Sequence, residues 1–318
     1  MATPYLHNHR AFPDLLNILE VETGILAALI EKDYWIMHVL HGLQSQGFSF
    51  ELKGGTSLSK AYELIHRFSE DIDIHIHPTS AFSIKENPKN TSRKNVEARK
   101  AFYNWLKETI AIDGIVDVER DEAFDDLIYY RSGGIRLLYK SYTSSAPGLK
   151  DGILLEVGFD NVSPNSPVGI SSWAYNRALQ TDGLDVQDNR AIDVRCYDPG
   201  YTLVEKLQTI ATKYRQEISG NGGRPNFMRQ YYDVYCLLES PFVQEFIGTP
   251  GYKTHKQERF PEADLGIPIW ENEAFLLSDP IIRADFERRY KGTAALYYRG
   301  QPPFDVLLQR IHEFISRL

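Results

Sequence analysis

Asp71 and Asp73 stand one residue apart in the run Asp71-Ile72-Asp73-Ile74-His75-Ile76-His77, whose strict alternation predicts a half-buried β-strand. On a strand, carboxylates at i and i+2 leave the same face about 7 Å apart at Cα, so both can reach one hard cation. Magnesium, with manganese as a possible substitute, takes one or two such carboxylates together with phosphate oxygens and water. A third carboxylate on a neighbouring strand would complete a two-metal site. Glu156 is the best candidate, alone among Ile153, Leu155, Val157 and Phe159, and Asp160 is the second choice. His75 and His77 share the aspartate face, but zinc is not expected there, because no Cys joins them and alternation alone explains their placement.

The elements that must position these groups are legible around them. A short strand, Phe48 to Leu52, runs into Gly54-Gly55-Thr56-Ser57, and Leu58 to Arg67 resumes helical spacing. Glycine lets backbone N–H groups approach a phosphate, and the following helix start favours anions. Taken singly, a Gly-Gly turn is commonly only a turn, and an Asp-x-Asp strand commonly faces solvent. In this order they describe a small unit for a nucleoside triphosphate and its metal.

Upstream, Thr23 to Gln44 carries a helical apolar stripe; downstream, strands are expected at Gly134 to Tyr142, Gly152 to Asp160 and Ala191 to Tyr197. Asp198-Pro199 then starts a helix through Glu217. The loop Ser219-Gly220-Asn221-Gly222-Gly223 ends it, and Pro225 starts another helix through Glu239. Further helices are expected near Asp279 to Tyr290 and Phe304 to Leu318, with no strand pattern after residue 198. The reading is an α+β chain: a mixed domain over residues 1–197 with a small mixed sheet flanked by helices, and a helical domain over residues 198–318.

The segment from Leu52 to Lys60, followed by Arg67-Phe68-Ser69-Glu70-Asp71-Ile72-Asp73-Ile74, resembles motif I of the AbiEii/AbiGii toxins, a branch of the polymerase-beta-like nucleotidyltransferases. Glu31 to Trp35, Glu205 to Arg215 with its Lys206-Leu207 pair, Arg229 to Tyr235, and Tyr297 to Phe304 resemble further segments of that family. The chain departs from it at Tyr232, where the family often has Lys. The resemblance implies an enzyme that moves a nucleoside monophosphate from an NTP to an acceptor and releases pyrophosphate. Asp71, Asp73 and Glu156 would hold magnesium, Gly54, Gly55, Thr56 and Ser57 would hold the triphosphate, and Lys206 would neutralise its charge. Asp233 matches a functional position of the family, although an i→i+4 pair with Arg229 would account for it as well. The implied acceptor is RNA, in particular a tRNA 3′ end, and the implied role is the toxin of an abortive-infection or toxin–antitoxin system with a cognate antitoxin.

Charge distribution bears on the acceptor. The formal charge of -8 argues against a surface that wraps nucleic acid throughout. Between Ala81 and Lys107, however, seven basic residues (Lys85, Lys89, Arg93, Lys94, Arg99, Lys100, Lys107) face two acidic ones, and Glu108 to Asp126 reverses this with eight acidic residues and one Arg. The plain reading is a solvated helix followed by a solvated acidic loop; the functional one is a phosphate-backbone contact, joined by Lys206, Lys213, Arg215, Arg224 and Arg229. Lys32 and Asp33 could line the cleft, though a charged pair on a helix reads first as a solvated face. Two cysteines and no long apolar run point to a reducing cytoplasm and no membrane association. Two other readings stay open: the same fold with a small-molecule or protein acceptor, and a non-catalytic NTP- or RNA-binding module.

Overall fold

The computed structural model describes residues 3–144, 149–220, 223 and 227–318. Asn221, Gly222, Arg224 and Pro225, named above, lie outside the described residues. The chain divides into two units, the first formed by Met1–Ala61 and Ser69–Tyr197, the second by Tyr62–Phe68 and Asp198–Leu318.

The first unit is built on a mixed sheet of seven strands: β1 (Phe50–Lys53), β2 (Asp71–Ile76), β3 (Ile115–Asp121), β4 (Ser132–Tyr139), β5 (Ile153–Gly158), β6 (Asn165–Ile170) and β7 (Ala191–Tyr197). Their spatial order is β3-β4-β5-β2-β1-β7-β6. β2 pairs antiparallel to β1 and parallel to β5, so it sits in the middle. Its alternation works as expected: Ile72, Ile74 and Ile76 are fully buried, as are Ile153, Leu155 and Val157 of β5.

Helices cover the sheet. α1 (Phe12–Thr23) stops at Gly24, whose φ of 73° caps it, and α2 (Ala27–Ser45) starts four residues later than the apolar stripe suggests. α2 is buried along nearly its whole length, and there the structure corrects the solvated-face reading of Lys32 and Asp33. Asp33 accepts from Lys60 Nζ at 2.6 Å and from the Trp173 N–H at 2.8 Å; Lys32 Nζ donates to Glu70 at 3.2 Å and to the Lys150 carbonyl at 2.5 Å. Glu31 beside them accepts from the Tyr142 N–H and the Thr143 hydroxyl. Buried charges persist only when paired in this way.

The expected helix from Leu58 to Arg67 is much shorter. After a single turn, α3 (Gly54–Thr56), the chain makes a π-helical turn over Ser57–Ala61 and leaves helical geometry. The basic segment does form a helix, α4 (Arg93–Thr109), which rests Phe102, Tyr103 and Leu106 on the sheet. The acidic stretch is not a loop, for β3 runs through it and pairs with β4. A short α5 (Trp173–Ala178), capped by the Ser172 hydroxyl, precedes β7.

The second unit is helical among its described residues. α6 (Pro199–Ile218) starts as expected, with the Asp198 carboxylate accepting from the Gly200 and Tyr201 N–H groups and Pro199 at the first position. α7 (Arg229–Glu239) follows, and the later helices include Pro280–Lys291 and Phe304–Phe314. Among the described residues no helix is long and apolar enough to cross a membrane. Cys196 and Cys236 are both buried, and neither is part of a disulfide.

Candidate active site

Strand register assembles the acidic set. Asp73 is the direct partner of Lys53 on β1 and of Glu156 on β5, so Lys53, Asp73 and Glu156 form one row across three strands. Directly opposed residues share a face with Cβ atoms about 4.5–5.5 Å apart. On the far side of Glu156 the row passes Gly134 of β4 and reaches Asp121 of β3. Asp71, two residues before Asp73, joins the same face and receives Lys150 Nζ at 3.2 Å. Asp160 is drawn to Lys53 Nζ at 2.5 Å, a counter-ion placement more than a third-ligand one.

The glycine turn abuts this row. Gly54 has φ +71°, and a Cβ built on it would lie 1.9 Å from Asp73 Oδ2. Only glycine fits both the left-handed backbone and the carboxylate at that point. Thr56 and Ser57 are buried, and the Thr56 hydroxyl donates to the Asp71 carbonyl at 2.6 Å. That hydroxyl therefore fixes the start of β2, and the turn can offer a phosphate its backbone N–H groups and little from the Thr56 side chain.

Electrostatics shows how close the carboxylates are. Burial, together with the Asp73 and Asp71 charges, pushes the Glu156 carboxyl up to about 8, against the pull of Lys150 and Lys53. An all-oxygen donor set in which burial and like charge both work against ionisation fits a hard divalent cation, whose charge offsets both. The row opens on a cleft of 570 Å³ lined by Lys53, Asp73, Lys89, Arg131, Glu156 and Asp160 among others, a mixture of cations and carboxylates suited to a metal-bound polyphosphate.

Lys206 and Asp233 belong to the second unit, and there they meet each other. Asp233 is fully buried and accepts two bonds from the Arg67 guanidinium, at 2.6 and 2.7 Å, with Lys206 Nζ at 2.9 Å. Asp233 thus sits in a buried triad with Arg67 and Lys206, because α7 turns it inward toward the returning segment Tyr62–Phe68. Burial alone would raise Asp233, yet Arg67 and Lys206 outweigh it and hold the carboxyl below its usual range. Arg215 is likewise engaged, with Nε 2.6 Å from Asp264.

Sequence reasoning missed Lys150, Glu70 and Arg67 as parts of these arrangements. Glu70 accepts the Lys150 N–H at 3.0 Å and so anchors the residue whose ammonium meets Asp71. The adjacency of Glu70 and Arg67 to the Asp-x-Asp run was the available signal; Lys150 carried none. Of the seven basic residues between 81 and 107, six are exposed, while Arg99 is buried and donates to the Asn87 and Tyr129 carbonyls.

No curated protein matches the sequence. Among solved structures, an antigenic nucleotidyltransferase-like protein from Paracoccidioides brasiliensis aligns over 74% of this chain and 96% of its own, with 15% identity and a TM-score of 0.32. The family model described as nucleotidyl transferase AbiEii toxin, type IV TA system, matches residues 42–310, well over half of the chain. The chain therefore belongs to the AbiEii nucleotidyltransferase toxins of type IV toxin–antitoxin systems.

Proposed function

We propose that the protein transfers a nucleoside monophosphate from a magnesium-bound NTP to an RNA hydroxyl, with a tRNA 3′ end as the favoured acceptor. The observation that carries this reading is the row Lys53–Asp73–Glu156, with Asp71 beside it and Gly54 against Asp73. In the reaction the acceptor oxygen bonds to the α-phosphorus, the bridging α–β bond breaks, and pyrophosphate leaves. Asp71 and Asp73, with Glu156, would hold magnesium, which when bound supplies charge neutralisation at the phosphates.

The chain's own groups do the rest. Gly54 to Ser57 offer backbone N–H groups to the terminal phosphates, and Lys53 and Lys150 add fixed positive charge beside the carboxylates. Glu156, whose carboxyl is held near neutrality, is suited to take the acceptor's proton as well as to ligate. In the second unit Asp233 fixes the Lys206 ammonium, so those two residues act together as a positioned cation. The six exposed cations between Lys85 and Lys107 favour a polyanionic acceptor. Family membership implies a cognate antitoxin and a toxin's role.

The test is transfer of label from each of four α-labelled NTPs to total tRNA, with magnesium, comparing the native chain with Asp71→Ala. Label on RNA that depends on Asp71 is the expected result. Turnover with a small molecule or protein, and none with RNA, would move the acceptor; NTP binding without any turnover would leave a binding module.

A further inference from the structure

The face of β2 that carries Asp71 and Asp73 continues to His75 and His77. There the register sets Glu51 of β1 directly opposite His75. Glu86, from the segment after β2, approaches with Oε2 2.8 Å from His75 Nε2 and 3.0 Å from His77 Nδ1. Glu51 closes the ring, with Oε1 2.8 Å from His77 Nε2 and Oε2 3.6 Å from His75 Nδ1. All four residues line a cleft of 370 Å³, and one ligand atom from each of Glu51, His75 and His77 lies within 4.8 Å of the others.

Hydrogen bonding alone does not satisfy this arrangement. Each of the four ring nitrogens faces a carboxylate oxygen, whereas the pair of rings carries two N–H groups when both are neutral and three when one is protonated. His75 is only 7% exposed, and its Nε2, buried like Glu51 Oε2, lies 2.8 Å from Glu86 Oε2 without the alignment of a hydrogen bond. A second histidine cluster shows the difference. In His7, His38 and Asp113 every ring nitrogen has a matched partner, His7 with Tyr34 and Asp113, His38 with Asn189 and the Asp113 carbonyl. That cluster is a polar brace.

The spacing of the first cluster suits a metal. Zinc bonds of about 2.0–2.1 Å in tetrahedral array put ligand atoms roughly 3.4 Å apart, and the N···O separations here run from 2.8 to 3.6 Å. Two imidazoles and two carboxylates form a borderline donor set, unlike the all-oxygen set around Asp73.

We propose that Glu51, His75 and His77, with Glu86 as fourth ligand, bind one divalent transition-metal ion of the zinc class, at a site separate from the hard-cation carboxylates. The expectation that zinc would be absent rested on the lack of a Cys and on strand alternation as the reason for the placement of the two histidines; Glu51 and Glu86 supply the ligands that Cys does not. The ion would tie β1 to β2 and to the segment leading into α4.

The experiment titrates zinc into the chelator-stripped full-length protein in excess magnesium, with cobalt as a spectroscopic substitute. One tight equivalent is expected, with the visible bands of nitrogen- and oxygen-ligated cobalt. His77→Ala should weaken binding roughly 100-fold and Glu86→Gln, on the exposed side, roughly 10-fold, whereas Asp73→Ala should leave it unchanged. Circular dichroism checks that each variant is folded. Absence of stoichiometric binding, indifference to both His77→Ala and Glu86→Gln, or loss of binding in Asp73→Ala would each overturn the proposal.

Discussion

Gly54→Ala separates backbone strain from damage to the site. Gly54 has φ +71°, and the added methyl carbon would fall 1.9 Å from Asp73 Oδ2, so the carboxylate must move by more than an ångström to regain van der Waals distance. The left-handed conformation costs a residue with a Cβ about 1–2 kcal/mol, which for a unit of this size lowers Tm by roughly 2–8 °C. A displacement of about 1 Å at a reacting centre costs on the order of 100-fold in rate. Gly24 supplies the control, having φ +73° with no heavy atom within 4 Å of its would-be Cβ. Gly24→Ala should therefore lose similar stability and keep its activity, whereas Gly54→Ala should lose at least about 100-fold in pyrophosphate release as well. The assay is thermal melting beside pyrophosphate release for both variants. Equal activity in the two would refute the claim that Gly54 is required by the position of Asp73.

Three further outcomes follow from the contacts. Asp233→Asn leaves Arg67 buried without its full counter-charge and should cost about 3–5 kcal/mol in urea denaturation. Because the folded carboxyl of Asp233 lies below its unfolded value, its contribution is fully present above the ordinary carboxylate range and is lost as pH falls through the folded value. The native chain should thus lose stability on acidification that Asp233→Asn no longer has to lose. Lys150→Met, which removes the cation 3.2 Å from Asp71 Oδ2, should raise KM for NTP about tenfold, more than it changes kcat, in steady-state kinetics. Thr56→Val strips the Asp71 carbonyl of its 2.6 Å donor and should cost about 1–3 kcal/mol by chemical denaturation.

What could be read from the chain depended on whether the physical cause was local. Ile72, Ile74 and Ile76 announce β2 because burial alternates along it, and Asp198-Pro199 announces α6 because a cap is made within three residues. The two unforeseen strands are the edges of the sheet. β3 carries Asp117, Glu119, Arg120 and Asp121, the charge that keeps an exposed edge from pairing with another chain, and so reads as a solvated loop. β6 carries Pro167, which an edge strand tolerates and a central one does not. The buried ion pairs are hidden for a different reason: Lys32 and Glu70 are 38 residues apart and Arg67 and Asp233 are 166 apart, so neither partner marks the other in the sequence. The aspartate pair, the glycine turn and Glu156 stood out through spacing and alternation, whereas the role of Lys150 arises only when Glu70 holds its backbone.

Segment Tyr62–Phe68 belongs to the second unit although it is made between the glycine turn and β2 of the first. On a ribosome Arg67 emerges 166 residues before Asp233, a delay of about 8–33 s at the usual rate of synthesis. Throughout that interval the stretch linking the glycine turn to the aspartate strand lacks its counter-ion and its final neighbours. A chain released early, however complete its sheet, would carry Arg67 with nowhere to place its charge, so the finished arrangement around the motif must wait for the far end of the polypeptide.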